Sequence, residues 1–409
     1  MVRILRDRAN SLACAWAINS LAYSIIYPFL PVYLHKGRGV PMETVGLIFP
    51  LMGGAIIFSP MIAGALADRI GRQFMMQFGQ TARAAIFVLL AVMAFFHAPF
   101  WLFAAVLMVN AGIGTFFQIG SDAYLSDISS PAERPRIFSR IRIGTNVGWA
   151  LGPMLGSFLM EAPFYLLFLL TGALCMCGAW YTGACCRPAA APHQENPVWK
   201  EHSEFSLSRL FSDNRLLGTL GCSFVLFLLT SQLYSIMSLY ATGVVGISTQ
   251  TLGRLYALNG ATIIILQMPV TWLLERYRLT LPVRLIIGAL IYTAGYLSLG
   301  IAQNGAMMAA SVVVITVGEA AVMPSLYSRV SRLAPAGGAG RYMASLELVR
   351  GVGYSVGPFF GSVLLAKFEA SPLLLWGTLS LFGFFAAAGY ALLSGRLPRR
   401  RRRTRVYRL

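Results

Sequence analysis

The feature that most constrains this chain is a succession of apolar stretches, each long enough to span the hydrocarbon core of a bilayer as a helix of about 20 residues. Twelve stretches are recognisable, in two sets of six separated by a polar gap. They cover residues 9–34, 45–66, 74–96, 99–124, 136–160, 163–184, 215–241, 250–274, 281–302, 306–330, 341–366 and 372–394. These runs lack the alternation of polar and apolar residues typical of membrane β-strands, so we predict an all-α integral membrane protein.

Composition excludes the main classes of soluble protein. Of the 409 residues, 57% are hydrophobic and 12% are charged, whereas soluble domains carry roughly 25% charged residues. The six cysteines lack the spacing of a metal site, so we expect no disulfide, no metal and no cofactor. No Gly-Lys-Ser/Thr sequence occurs, which indicates that the chain has no ATP motor of its own. We therefore expect a protein that is not an enzyme.

The positive charge of the chain is distributed unequally between the two sides of the predicted membrane. The formal net charge is +18, and 26 of the 33 Lys and Arg residues fall on the side of the N-terminus, against four on the other side. Because cytoplasmic loops carry the excess of basic residues, both termini are predicted to be cytoplasmic. The charge thus indicates topology, and no nucleic-acid partner is expected. The run Arg399–Arg403 in the tail suits anionic lipid, with a simple topology anchor as the alternative.

An internal repeat relates the two sets of spans. The segment GWALGPMLGS (Gly148–Ser157) in the fifth span is matched by GYSVGPFFGS (Gly353–Ser362) in the eleventh, at an offset of 205 residues and with five identical positions. The positions that we assign to tight helix packing, to rocking of the halves, or to both are Gly148, Gly152, Pro153, Gly156, Gly353, Gly357, Pro358 and Gly361. Parallel halves of this kind are typical of transporters that work by alternating access.

The predicted architecture is therefore twelve transmembrane helices in two pseudo-symmetric six-helix bundles around a central cavity. The first bundle covers residues 1–184 and the second 215–394, with a cytoplasmic linker at 185–214 and a basic tail at 395–409. Since such a chain can enclose its own pathway, we expect a monomer.

Two motifs carry a resemblance to a known family. Residues that match the pattern G-x-x-x-D-R-x-G-R-[KR] are Gly64, Asp68, Arg69, Gly71 and Arg72, with Gln73 in place of the last basic residue. This segment resembles the signature between the second and third spans of the major facilitator superfamily, and Ala123–Asp127 is similar to the family's exit from the fourth span. GWALGPMLGS resembles the G-x-x-x-G-P-x-x-G-G signature of the drug/proton antiporter branch. Met108, however, stands where that branch often carries an arginine.

The loop motif predicts a conformational latch made of Gly64, Asp68, Arg69, Gly71, Arg72 and Asp127. The two glycines permit a tight turn, and Asp68 can accept hydrogen bonds at a helix N-terminus. Arg69 and Arg72 can pair with acids at helix ends such as Asp127. Such a latch would hold the cytoplasmic side closed, and breaking it would shift populations. The alternative is a loop that serves only as a topology signal.

Three carboxyl groups within or near the spans are candidates for proton coupling: Glu319, Asp122 and Glu347. A charge in the middle of a bilayer costs about 2.5–3.5 kcal/mol, so such residues tend to be functional. Glu319 lies deep in the tenth span and is the preferred proton carrier, with a substrate-cation site or a structural hydrogen bond as alternatives. Glu347 and Arg350 lie three residues apart on one helix face, which favours a mutual salt bridge. Asp122 could pair with Arg142.

Polar and aromatic side chains at mid-span suit a large amphipathic pocket. The candidates for the substrate cavity are Asn19, Tyr23, Tyr27, Asn110, Gln118, Asn146, Gln232, Tyr234 and Asn259. Each could instead make a hydrogen bond between helices. Arg83 has no evident partner, and if it faced the cavity it would favour anionic or zwitterionic substrates.

The resemblance implies a secondary active transporter of small molecules in the bacterial inner membrane. Our leading hypothesis is proton-coupled export of amphipathic organic compounds, as in multidrug-type efflux. One alternative is a carrier for a single metabolite or lysolipid-like molecule. A second alternative, from another class, is a transport-inactive membrane sensor or scaffold.

Overall fold

The computed structural model describes residues 2–129, 134–186, 212–335 and 339–395. Within that part of the chain, eleven helices are long and apolar enough to cross a membrane. The twelfth crossing is the helix Arg134–Leu159, whose first turns are rich in arginine and which packs between the first and eighth crossings. The prediction of twelve membrane helices is confirmed, and the chain is a multi-pass membrane protein.

Each crossing is numbered by its main helix. These helices are α1 (Val2–Ile26), α2 (Ile48–Ile70), α3 (Arg72–Phe95), α4 (Phe100–Ile128), α5 (Arg134–Leu159), α6 (Tyr165–Cys185), α7 (Asn214–Thr230), α8 (Thr249–Arg276), α9 (Leu281–Leu299), α10 (Gly305–Leu333), α11 (Ala339–Phe368) and α12 (Pro372–Gly395). Most of the predicted linker and nearly all of the predicted tail, including Arg399–Arg403, lie outside the described residues.

The two halves of the chain repeat the same set of helix contacts. In the first half α5 packs on α1, α4 on α2 and α3, and α6 on α1 and α3; in the second half the corresponding helices make the corresponding contacts. The repeat even sets helix bounds, since α4 and α10 both have 29 residues and begin 205 residues apart. The halves meet where α2 packs on α11 and where α5 packs on α8.

The first and seventh crossings are interrupted at corresponding places, which the sequence analysis did not predict. Beyond α1, Pro28 cannot donate a backbone hydrogen bond, and the chain continues as a short helix at Leu30–Val32 and a π-helical turn at Tyr33–Gly37. Beyond α7, a 3₁₀ turn at Ser231–Tyr234 precedes a short helix at Ile236–Gly243. In this segment the hydroxyl groups of Ser231 and Ser235 donate to backbone carbonyls three or four residues earlier, in competition with regular helix bonds.

The repeated glycines allow close contact between helices. A Cβ atom at Gly148 of α5 would lie 2.7 Å from the carbonyl oxygen of Ala17 in α1, and one at Gly353 of α11 would lie 2.6 Å from Cβ of Phe227 in α7. Pro153 and Pro358 lie inside their helices without ending them. This geometry is that of tight packing, while a role of the motif in rocking stays a prediction.

Candidate functional site

The two halves are sealed along two symmetric seams at one end of the bundle. We call the end where α1 begins and α12 ends the terminal end, and the other the opposite end. In the first seam, Gly46 in the short helix Met42–Gly46 that precedes α2, and Gly53 of α2, lie against Ser362 and Ser355 of α11. In the second seam, Gly253 and Gly260 of α8 lie against Ser157 and Ala150 of α5. Each glycine lies so close to its partner in the other half that a Cβ atom would overlap it. Toward the opposite end, Lys36 of the first half also donates to the backbone carbonyl of Thr242.

The seams separate toward the terminal end. The small seam residues are seven positions apart on both helices: Ala150 and Ser157 on α5, and Ser355 and Ser362 on α11. Seven positions nearer the terminal end, the corresponding residues are Ile143 and Leu348. Their exposed fractions are 63% and 54%, although both side chains are large and apolar. The halves therefore touch near the opposite end and diverge toward the terminal end, so the space between them opens at that end.

An aromatic cluster joins the halves at the inner end of this space. Tyr23 stacks on Tyr27 at a centroid distance of 4.9 Å, and Trp149 of α5 lies edge-on to Tyr23 at 5.8 Å. Trp149 also lies 4.9 Å from Tyr234 of the second half, which stacks on Tyr256 at 5.0 Å. The cluster lies beside the two helix interruptions, the kind of broken helix that marks binding sites in repeat-built transporters. Trp149 and Tyr256 were missed as site candidates, although Trp149 lies within the repeated motif.

Glu319 is the middle residue of α10 and is connected to this cluster through Asn259. The partly buried Glu319 carboxyl interacts with the side chain of Asn259 on α8. The Asn259 side chain also accepts a hydrogen bond from the Tyr234 hydroxyl at 2.7 Å and donates to the Thr316 hydroxyl at 2.7 Å. A single side chain, that of Asn259, therefore separates the charge of Glu319 from Tyr234, which packs on Trp149 of the other half.

The other two predicted carboxyls lie across the opening from one another. Asp122 is exposed on α4 of the first half, and the charge of Glu347 on α11 of the second half acts on it. Glu347 forms the expected salt bridge with Arg350 (Nε to Oε2 2.8 Å) and accepts a hydrogen bond from the Tyr327 hydroxyl.

The expected pairing of Asp122 with Arg142 was wrong. Among the described residues no ion pair joins them. Arg142 instead acts on Glu319 and Tyr327 of the second half. The space between the halves is therefore bordered by both signs of charge on both sides.

Arg83 does not line this space. It is 3% exposed within the first half, where its guanidinium donates to the side-chain oxygen Oδ1 of Asn19 at 2.8 Å and to Oδ1 of Asn110 at 3.4 Å. Its charge also lies over the rings of Tyr23 and Phe87 at 5.9 and 5.7 Å. Asn19 and Asn110 are therefore partners of a buried arginine, a pairing that sequence spacing could not reveal because the three residues come from three helices.

The remaining predicted cavity residues are divided. Gln118 and Asn146 are exposed on α4 and α5. Gln232 is fully buried in the second half, and its amide donates to the Leu228 and Gly357 carbonyls at 2.7 and 2.8 Å. The second of these bonds crosses from the 3₁₀ turn to α11. Gln232 therefore makes a hydrogen bond between helices in this conformation, which is the alternative role that the sequence analysis gave for each cavity candidate.

Comparison with known proteins decides the family. The model of the Major Facilitator Superfamily matches residues 12–358. The chain belongs to the major facilitator superfamily. Among curated relatives of this transporter chain, the multidrug resistance protein MdtH of Salmonella typhimurium is 26% identical over 395 residues, which cover 93% of each chain. The uncharacterized MFS-type transporter YttB of Bacillus subtilis is 25% identical over 367 residues, 88% of each chain.

Solved structures of the superfamily share the fold of this transporter. A bacterial homologue of the human lysosomal transporter Spinster, in an inward-facing and unoccupied conformation, superposes with a TM-score of 0.78 at 15% identity, covering 96% of this chain and 97% of that one. The nucleoside transporter NupG superposes with a TM-score of 0.71 at 14% identity, covering 95% and 98%.

The superfamily signature loop forms an ion pair within one half. Arg72 Nη1, at the start of α3, lies 2.9 Å from Asp127 Oδ2 at the end of α4. Gly71 has a φ of 88°, a backbone conformation that glycine adopts readily. Because both partners belong to the first half, this ion pair cannot by itself join the halves. The side chains of Asp68 and Arg69, like Gly64, lie outside the described set, so the latch stays a prediction.

An arginine from another helix lies beside the helix on which the antiporter branch often carries its own arginine. Met108 occupies the expected position on α4, but the Arg83 side chain of α3 lies against Gly114 further along the same helix. A Cβ atom at Gly114 would be 3.9 Å from Arg83 Nε. A guanidinium therefore does lie beside this part of α4, and it comes from a different helix.

Breaking the Arg72–Asp127 pair is expected to cost little stability. The side chains are 37% and 21% exposed, and ion pairs in contact with water contribute about 0–1 kcal/mol. A double-mutant cycle with Arg72→Gln and Asp127→Asn, followed by thermal unfolding in detergent, should give a coupling energy below about 1 kcal/mol. A coupling well above that value would show that the pair is shielded from water.

Proposed function

We propose that this protein is a secondary active transporter that exports amphipathic organic compounds, above all lipophilic cations, in exchange for protons by alternating access. The observation that carries the proposal is the position of Glu319, a carboxyl at the middle of a membrane helix, next to the aromatic cluster that joins the halves. A carboxyl there can hold either a proton or a cationic substrate, and occupancy by one excludes the other.

The coupling follows from the cost of charge in a low-dielectric site. An ionised, unoccupied Glu319 disfavours any state in which water is excluded, whereas a protonated or cation-paired Glu319 permits it. Because Asn259 and Tyr234 connect Glu319 to Trp149 of the other half, the occupied site can close on the aromatic cluster. The positive charge of Arg142, across the opening, stabilises the ionised form of Glu319 and therefore helps Glu319 to release its proton.

The substrate class is inferred from the chemistry of the cluster and from the relatives. Faces of tyrosine and tryptophan rings attract lipophilic cations, and a carboxylate beside them supplies the opposite charge. The relative MdtH bears the name of a multidrug resistance protein. Since Arg83 is buried away from the opening and bound to two asparagines, it provides no exposed site that would favour an anionic substrate.

We infer from the excess of basic residues on the terminal end that this end, with both termini, faces the cytoplasm. The bacterial relatives support a location in the inner membrane. The conformation described here, open at the terminal end, would then be the inward-facing one. In this conformation the space between the halves would take up substrate from the cytoplasm or from the inner leaflet.

Reconstituted protein tests the proposal. Liposomes containing the purified transporter receive an imposed pH gradient, and the flux of a fluorescent cation such as ethidium is compared with that of a sugar and a lysophospholipid. We expect the gradient to drive the cation against its concentration and not the other two. Flux restricted to the sugar or lysolipid would favour a single-substrate carrier, and no flux of any probe would favour a sensor or scaffold.

A further inference from the structure

A second cavity lies inside the second half at the terminal end, apart from the space between the halves. It has a volume of about 790 Å³ and is lined by α7 to α10 and α12, with no contribution from the described residues of the first half. Four arginines, Arg215, Arg284, Arg329 and Arg332, and one acid, Glu275, line it. The charge around this cavity is therefore strongly positive.

Among the described residues, most of this positive charge lacks an ion-pair partner. Arg284 approaches Glu275 at 4.0 Å, but Arg215, Arg329 and Arg332 form no ion pair with any described residue. Arg329 is 7% exposed, and the one hydrogen bond of its guanidinium to a described residue runs from Nε to the Thr219 hydroxyl at 3.0 Å. A largely buried guanidinium is unfavourable unless an anion or water compensates its charge, and Arg329 lines the cavity in which an anion would do so.

The internal repeat shows that this charge is particular to the second half. Arg332 corresponds, at the offset of 205, to Asp127 of the first half, because α4 and α10 run over equivalent residues. In the first half the acid pairs with Arg72. In the second half the equivalent position is basic, exposed and adjoins a cavity, so it is accessible to an anion from outside the described chain.

The shape of the cavity favours an anion with an apolar tail. Its lining extends along α10 from Arg332 at the terminal end to Ala320, twelve residues or about 18 Å deeper. The deeper part of the wall, on α10, includes Ala320, Ala321 and Pro324, and the arginines lie nearer the end. Free phosphate would leave the apolar depth unfilled, whereas a phospholipid matches both parts.

We propose that this cavity binds the phosphate head group of an anionic phospholipid, held by Arg329 and Arg332 together with Arg215. Guanidinium groups bind phosphate through paired N–H donors, and basic pockets between membrane helices on the cytoplasmic side are known to hold anionic head groups. The site is independent of the transport mechanism proposed above.

Thermal unfolding of the full-length protein in neutral detergent tests this site without any transport assay. The probes are dioctanoyl phosphatidylglycerol, dioctanoyl phosphatidylcholine and inorganic phosphate. We expect phosphatidylglycerol alone to raise the melting temperature, and the Arg215→Gln/Arg332→Gln double variant to weaken its apparent affinity about tenfold or more. Arg276→Gln is the matched control, since Arg276 lies at the same end, is exposed and packs over Trp272 outside the cavity.

Three outcomes would overturn the proposal: an unchanged affinity in the double variant, equal stabilisation by phosphatidylcholine, or equal stabilisation by inorganic phosphate, which would assign the cavity to a soluble anion. If the double variant does not fold, the single Arg332→Gln variant replaces it, with bound phosphatidylglycerol counted by native mass spectrometry. Retention equal to that of the wild type would then contradict the proposal.

Discussion

Replacing Glu319 by glutamine is expected to abolish uphill, pH-driven transport while leaving downhill exchange of substrate intact. The amide keeps the size and the neighbours of the carboxyl but cannot gain or lose a proton. A charge at this depth costs about 2.5–3.5 kcal/mol, so the two protonation states differ about a hundredfold in their preference for a closed, dry site. Without that difference the gradient has nothing to act on.

The pH dependence of substrate binding provides the sharper readout for this prediction. In the wild type a cation and a proton compete for the Glu319 carboxyl, so the affinity for the cation should fall as the pH is lowered. In the Glu319→Gln variant the affinity should be weaker and independent of pH. Glu369→Gln, which removes an exposed acid beyond the end of α11, is the control and should behave as the wild type. A glutamine variant that still accumulates substrate against its gradient would refute the coupling role.

Replacing Gly53 by valine is expected to force the two halves apart at the opposite end. Gly53 of α2 lies directly on Ser355 of α11, so any side chain there overlaps the other half. The symmetric seam gives a second test: at Gly260 of α8 a Cβ atom would lie 2.7 Å from Cβ of Ala150. Overlap of this kind costs about 1–3 kcal/mol, which would shift the conformational equilibrium about 5- to 150-fold.

A neighbouring glycine supplies a matched control for the seam. Gly54 follows Gly53 on the same helix, yet a Cβ atom there would have no heavy atom within 4 Å. Spin labels at Glu43 and Glu369, in a background without cysteines, report the separation of the halves at the opposite end. We expect a longer distance and loss of transport for Gly53→Val and Gly260→Val, and neither for Gly54→Val. Equal distances in all three variants would mean that the seams do not control closure.

Features that depend on local spacing could be predicted reliably from the residues. The twelve crossings follow from the lengths of the apolar runs, and the Glu347–Arg350 salt bridge follows from a separation of three on one helix face. The repeat at Gly148–Ser157 and Gly353–Ser362 indicated the parallel halves. In the same way, the seven-residue spacing of Gly46 and Gly53, repeated at Gly253 and Gly260, was a signal for the seams that the sequence analysis did not use.

Features that depend on which helices become neighbours were missed or wrong. Asp122 and Arg142 occupy plausible positions on adjacent spans, but among the described residues no ion pair joins them, and the charge of Arg142 acts on Glu319 of the other half. Arg83 looked unpartnered because Asn19 and Asn110 reach it from two other helices. The interruption after α7 contains no proline. Its serine hydroxyls compete with regular helix bonds for backbone carbonyls, but serine by itself is a weak sequence signal for a break in a helix.

The sequence by itself determined that this protein is a duplicated twelve-helix membrane bundle, because the length, apolarity and repetition of its segments are properties of the linear chain. Only the tertiary structure decided that the seams close at the opposite end and separate at Ile143 and Leu348. The physical reason is that tilting one half against the other changes almost no contact within a helix or a half. The conformation open at the terminal end and the one open at the opposite end therefore share the same local sequence pattern. They differ in the contacts across the interface between the halves.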